Sequence, residues 1–249
     1  MDSRQKLIKD RKFLKSNWDV LEFGTSDQAK KMPVPPLEKP FDADAEIIPL
    51  IPKEKWKNIG HISLKEAILN RQSRRKYTNE SLTVEELSFL LYSTQGVRKQ
   101  TEKYTLRTVP SGGARHPFET YLFIWNVTGI KKGLYRYLPL EHALYPEQKY
   151  KKGMEKDLNE ATLEQFWTAA VYFIWTALPY RTEWRYINAS PKLVALDAGH
   201  VCQNLYLACE AVGCGTCGIG AYDQKLSDKF LNVDGKDEFA VYMAPVGKV

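Results

Sequence analysis

Residues 63 to 77 read Ser-Leu-Lys-Glu-Ala-Ile-Leu-Asn-Arg-Gln-Ser-Arg-Arg-Lys-Tyr, and the rest of the chain is organised around them. Ser63 and Glu66 stand in the S-x-x-E spacing of a capping box, and Ala67, Ile68 and Leu69 give the ensuing helix an apolar side. It should stop near Asn70. Beyond it Arg71, Ser73, Arg74 and Arg75 offer several guanidiniums and a hydroxyl, a cradle for a phosphate or another fixed anion. The plain alternative is a solvated basic turn.

Working outward, 249 residues suffice for one sizeable domain with a real core. A hydrophobic share of 43% with 27% charged residues marks an ordinary globular chain, and the net charge of +6 favours anionic ligands in general. No apolar run is long enough to span a bilayer, and the polar Met-Asp-Ser-Arg start lacks the apolar stretch of a signal peptide, so a cytoplasmic protein is expected. Cys202, Cys209, Cys214 and Cys217 crowd one region. Cys214 and Cys217 have C-x-x-C spacing, but no second ligand pair is suitably placed, so small packed residues are expected and no metal.

Residues 1–58 hold six of the thirteen prolines and little periodicity, which predicts an extended arm laid over a domain spanning 59–249 or over a partner chain. Thr83 and Glu86 form a second capping box, opening a helix through Tyr92 that Gly96 ends. Residues 98–104 read as a polar loop. Pro110-Ser-Gly-Gly113 precedes an apolar strand over 119–127, and adjacent glycines there imply a close approach to the backbone, although such turns are common. A second strand, 133–138, pairs back through the 128–132 turn; a polar, helical stretch then runs to about Phe166. Residues 168–178 suit a central strand, and 180–186 form a loop of aromatics and arginines that would suit single-stranded bases or a planar cofactor.

Pro191 starts a helix to Val212 that is apolar on nearly every side, as expected of a helix buried in a core or at a subunit interface. Asp197, His200 and Asn204 recur on one side of it, more in the manner of satisfied core partners than of metal ligands. Four glycines between Gly213 and Gly220 follow, freeing the backbone to lie flat against a ligand. They are not a dinucleotide fingerprint, because here the helix comes first. A short helix over 223–231 and a last strand over 239–246 complete the chain.

The R-x-S-x-R after the first capped helix, the Pro-Ser-Gly-Gly turn and the glycine loop after an apolar helix together resemble the FMN-dependent nitroreductase family. The 107–119, 133–137 and 196–205 stretches look like its SagB-type dehydrogenase branch, whose azoline oxidases act on modified peptides. The resemblance covers about 63–248. It implies an α+β fold with a central, mostly antiparallel sheet flanked by helices, and a long buried helix at a homodimer interface. It further implies that Arg71 and Ser73 hold the FMN phosphate and ribityl chain, that Arg75 reaches either the phosphate or the pyrimidine edge of the ring, and that Gln72 also belongs to the cofactor site. Pro110, Ser111, Gly112 and Gly113 match a turn that meets the flavin, in many members from the second subunit. Gly218, Ile219, Gly220 and Ala221 match the segment lying on the ring, and Lys248 stands where a basic tail often completes the phosphate site.

Two positions depart from the family pattern. Ala114 and His116 replace an Asn and a Gln that touch the flavin in general nitroreductases. Arg185-Tyr186 stands where azoline oxidases carry Lys-Tyr; Tyr186 could act as a general acid or base beside Arg185, but an arginine does not exchange protons. The implied reaction is two-electron hydride transfer through flavin N5, with a small-molecule or peptide substrate. NAD(P)H-dependent reduction of nitro or quinone compounds is the alternative; a nucleic-acid module using Arg181, Trp184, Arg185 and Tyr186 is a third.

Overall fold

The computed structural model describes residues 3–16, 18, 21–57 and 59–249. Met1 and Asp2 of the polar N-terminus, and the arm's boundary at Asn58, lie outside the described residues. In the arm, α1 (Ser3–Asp10) and several single turns lead to a two-residue strand, β1 (Ile48–Pro49).

Both predicted capping boxes form. Ser63 and Glu66 bond reciprocally at the start of α2 (Leu64–Asn70), and Thr83 and Glu86 do so for α3 (Val84–Gln95), which Gly96 terminates. Residues expected to be a polar loop make a small hairpin instead, β2 (Val97–Gln100) and β3 (Thr105–Arg107), closed by Thr101 bonding back to Tyr104. Only one neighbour flanks each strand, so no apolar alternation is needed and the periodicity is silent there.

β4 (Phe118–Ile124) and β5 (Gly133–Leu138) pair as expected, but the polar stretch after them begins with a further strand, β6 (Ala143–Lys149), before the helix α4 (Met154–Ala161). β6 is half exposed towards its end, which explains its polar sequence. β7 (Val171–Ala177) is buried throughout. The expected loop after it is the two-turn helix α5 (Tyr180–Tyr186), with Pro179 at its N-cap, a place where the missing N–H costs nothing. The long helix α6 (Ser190–Ala211), β8 (Cys214–Thr216), α7 (Gln224–Leu231) and β9 (Phe239–Lys248) follow.

The other seven strands form one antiparallel sheet in the order β1-β6-β5-β4-β7-β9-β8, giving an α+β fold. Alternation along the central strands sorts two cores: Leu122, Phe173, Trp175 and Val246 face α3 and α6, while Phe123, Tyr172, Ile174 and Met243 face α4 and α7. α6 buries Val194, Val201, Leu205 and Cys209 but leaves Ala195, Leu196, Gly199, His200 and Gln203 exposed. α2 likewise exposes Leu64, Ile68 and Leu69. No helix among the described residues is long and apolar enough to cross a membrane.

Candidate active site

The basic cluster leaves α2 as an extended segment that docks beside β8. Ser73 bridges Thr216, and the Arg74 N–H bonds the Thr216 carbonyl at 2.9 Å. One side chain ties this segment to the glycine loop: the Tyr206 hydroxyl, from α6, lies 3.0 Å from the Ser73 hydroxyl and accepts the Gly218 N–H at 2.7 Å. Arg71 lies over the Tyr206 ring at 5.4 Å and Arg75 over Trp167 at 5.8 Å. Aromatic faces thus hold two of the cations without neutralising them. Arg74 folds against Gly215, where an added Cβ would stand 2.6 Å from its Cδ, and its buried Nε has no hydrogen-bond partner among the described residues. A hollow of about 410 Å³ opens along Gln72–Thr78.

Within Gly218–Ala221, Ile219 exchanges backbone bonds with Met243, and Ala221 takes a bond from Gln165. The Gly218 and Ile219 N–H groups are therefore committed, leaving Gly220 and Ala221 as the donors that a ligand on this segment would meet. Lys248 also lies near this end, but its ammonium binds Glu86 and the Val212 carbonyl, which directs it into the protein.

The Pro110–Gly113 turn sits elsewhere. Ser111 donates to Asp197 on α6 and accepts the His116 N–H at 2.9 Å, while the Gly112 N–H bonds the same carboxylate at 3.2 Å. Burial pushes the Asp197 carboxyl upward despite these donors. Gly113 has φ +58°, and a Cβ there would stand 2.4 Å from the Tyr186 hydroxyl. The close approach inferred from the adjacent glycines is thus made by the protein's own Tyr186. Arg185 lies over that ring at 5.2 Å and Trp18 of the arm meets its edge at 5.6 Å. Asp197 and Tyr206 are nine residues apart on α6, roughly 13 Å along the axis. One chain therefore brings Arg71, Ser73 and Gly218 together and holds Pro110–Gly113, Arg185 and Tyr186 at the other end of the same helix.

A third set of charges pins the arm. Glu119 pairs with Arg181 at 2.6 Å and with Arg136 at 3.5 Å, and these cations hold it below the usual carboxylate range against the effect of burial. His116 is buried beside Arg107 and pushed down to about 3, so its imidazole is neutral. The cysteines are all buried and free, with burial pushing Cys202 and Cys214 up to about 12 and so away from thiolate chemistry. Among the described residues no group of three or more His, Cys, Asp or Glu is placed to hold a metal.

Tyr206 and Trp167 escaped the sequence reading. Tyr206 is one hydroxyl in a largely apolar helix, a signal available but overshadowed by its apolar neighbours; nothing in the sequence linked Trp167 to Arg75.

The Nitroreductase family model matches residues 68–248. A protein of Methanocaldococcus jannaschii designated a nitroreductase is 32% identical over 193 residues, covering 77% of this chain and 93% of the relative. The trifolitoxin-processing protein TfxB of Rhizobium leguminosarum is 28% identical over 140 residues, covering 54% of this chain and 37% of TfxB. Among solved structures, a nitroreductase-like protein of Anabaena variabilis superposes with TM-score 0.63 at 26% identity, over 74% of this chain but 38% of that one. The Escherichia coli microcin synthetase complex McbBCD, with truncated pro-MccB17 bound, superposes with TM-score 0.61 at 19% identity over 83% of this chain and 79% of the matched chain, a likeness of fold. With the family model spanning most of the sheet and both glycine turns, the chain belongs to the nitroreductase family.

Proposed function

We propose that the protein is an FMN-dependent oxidoreductase in which Arg71, Gln72, Ser73 and Arg75, with Arg74, hold the flavin's phosphate and ribityl chain. The observation that carries this is the joining of the basic segment to Gly218 through Tyr206, beside a buried Arg74 Nε that lacks a partner. A dianionic phosphate answers that need with charge-assisted bonds. FMN, when bound, supplies two-electron hydride chemistry at N5. The chain's own part is to anchor the phosphate, to offer the Gly220–Ala221 backbone as a flat surface, and to place guanidinium charge where a reduced flavin is anionic.

A second copy completes the site in this proposal. The stripe that α6 leaves exposed, with Leu64, Ile68 and Leu69 of α2, is an apolar face fit for a homodimer, and an α6 lying across its twin carries the partner copy's 110–113 turn towards the Gly218 end. Tyr186 and Arg185 then come to the site with that turn, Tyr186 as the proton-exchanging group.

The reaction we favour is the SagB-type one, oxidation of a C–N or C–C single bond of a peptide or small molecule, for example in an azoline: a substrate carbon gives up a hydride to the flavin, the adjacent atom gives up a proton, a double bond forms between them, and oxygen takes the electron pair from the flavin. The similarity to TfxB and the superposition on McbBCD support it. The test is anaerobic stopped-flow spectroscopy of the FMN-loaded protein with NADH and NADPH. Slow or absent bleaching by both is expected; rapid bleaching by either would establish the NAD(P)H-dependent nitro or quinone reductase instead.

A further inference from the structure

Four of the ten non-glycine residues with positive φ among the described residues lie in one loop, 162–168, between α4 and β7: Leu163 at +53°, Glu164 at +64°, Trp167 at +46° and Thr168 at +51°. The first two have a local reason. A left-handed residue commonly ends a helix, and the Leu163 and Glu164 N–H groups bond back to the Glu160 and Asn159 carbonyls of α4. Trp167 and Thr168 have none. A bulky and a β-branched side chain suit that backbone least, and such strain persists only where the surroundings impose it and collects at functional sites.

The surroundings do impose it. Asn159 accepts the Phe166 N–H at 3.1 Å and donates to the Glu164 carboxylate, the Phe166 ring stacks on Tyr172 of β7 at 5.0 Å, and the Tyr172 hydroxyl donates to the Gln165 carbonyl at 2.9 Å. Held in this way, the loop directs two side chains to the candidate flavin site. The Gln165 amide donates to the Ala221 carbonyl at 2.8 Å, and the Asp223 N–H bonds the Ala161 carbonyl at 2.8 Å, so the end of the glycine segment is tied twice to this stretch. The half-buried Trp167 packs on the second core and carries the Arg75 guanidinium 5.8 Å from its ring centre. Arg75 has no carboxylate partner among the described residues, and it lines the same hollow as Arg74. All of these contacts are made within one chain and stand whatever surface a second copy covers.

We propose that Gln165 and Trp167 are positioning residues of the flavin site, and that the strained loop sets the two ends of that site in place: Trp167 holds the Arg75 charge for the phosphate, and Gln165 holds the Gly220–Ala221 backbone for the ring. The proposal rests on the flavin reading for the identity of the ligand. A cation over an aromatic face keeps both its charge and its donors, whereas a carboxylate partner would have neutralised it. Trp167 therefore fixes Arg75 without competing with a phosphate.

The test uses the full chain and compares, by quenching of flavin fluorescence, its affinity for FMN with that for riboflavin, which lacks the phosphate. Trp167→Leu keeps an apolar side chain but removes the π face; it should weaken FMN about fivefold, the size of one cation–π contact, and riboflavin by less than about twofold. Trp167→Phe, which restores a face, should stay within about twofold of wild type for FMN. Gln165→Leu, acting at the ring end, should weaken both flavins alike, by about fivefold. Leu163→Gly is the control: exposed, on the same loop and with a left-handed backbone that glycine accepts, it should change neither affinity and not lower thermal stability. Trp167→Met replaces Trp167→Leu if that variant does not fold. A Trp167→Leu effect that is equal for FMN and riboflavin, or absent for both, would overturn the proposal, as would an inert Gln165→Leu or a Leu163→Gly that reproduces the losses. Those failures leave FMN bound by the wild-type chain, whereas a wild-type chain that binds neither flavin would refute the flavin reading and this proposal with it.

Discussion

At the N-terminal half of α6 the Pro110–Gly113 turn spends its polar groups on its own chain, Ser111 and Gly112 on Asp197 and the Gly113 contour on Tyr186. Nine residues further along the helix, Tyr206 joins Ser73 to Gly218 but leaves three arginines without a carboxylate partner among the described residues, one with a buried orphan Nε. Both regions combine glycines with polar residues. In the first, the Ser111 hydroxyl and the Gly112 N–H already have internal partners, so the turn acts as a shaped, rigid surface; the second has unmet donors and so calls for an anion.

The sharpest way to break this contrast is to remove the anchor of the self-satisfied end. Asp197→Ala leaves the Ser111 hydroxyl and Gly112 N–H without their acceptor and should destabilise the fold by about 2–4 kcal/mol, read from urea unfolding, whereas a loss below about 0.5 kcal/mol would mean that the turn does not depend on it. Gly113→Ala should cost about 1–3 kcal/mol, through its positive φ and the crowding against Tyr186. Combined with Tyr186→Phe, which removes the colliding oxygen, part of that loss should return; strict additivity would exclude the contact. At the other end Tyr206→Phe removes the acceptor of the Gly218 N–H. About 1 kcal/mol of stability should go, together with roughly a fivefold loss of FMN affinity by that free-energy scale, measured by fluorescence titration.

The smallest effect should be local and lie in the arm. Glu38 is buried near Glu141 and Glu119, and despite the Leu140 N–H its carboxyl is pushed up to about 8. Arg107 and Tyr137 also face it. A carboxyl raised above its unfolded value contributes stability that is whole below about 4.5 and is lost as pH rises through about 8. Hydrogen exchange over 35–40, corrected for intrinsic rate, should therefore quicken several-fold between pH 6 and pH 9, and Glu38→Gln should abolish the change. A wild-type profile that stays flat would refute it.

Much of the fold was legible because the decisive elements carry local chemistry. The Ser63/Glu66 and Thr83/Glu86 boxes, the apolar 168–178 stretch and the proline-started α6 each state their structure within a few residues. β6, the 97–107 hairpin and α5 did not, since half-exposed or two-stranded elements need no apolar period and arginines with aromatics on a short helix look like a loop. The site was readable on one side only. Arg71, Ser73 and the glycine loop advertise an anion and a close approach, but sequence spacing does not reveal that Gly113 is spent on Tyr186, that Lys248 turns inward to Glu86, or that Tyr206 is the link.

FMN titration of the full chain, beside an Arg71→Ala/Arg75→Ala variant, tests the central claim most directly. The account predicts one FMN per chain, with a flavin visible spectrum that persists through gel filtration. In the variant, affinity should fall by about a hundredfold or more, as the loss of two charge-assisted anchors requires. A chain that stays colourless after incubation with FMN, or a double variant that retains the flavin as tightly as the parent, would contradict it.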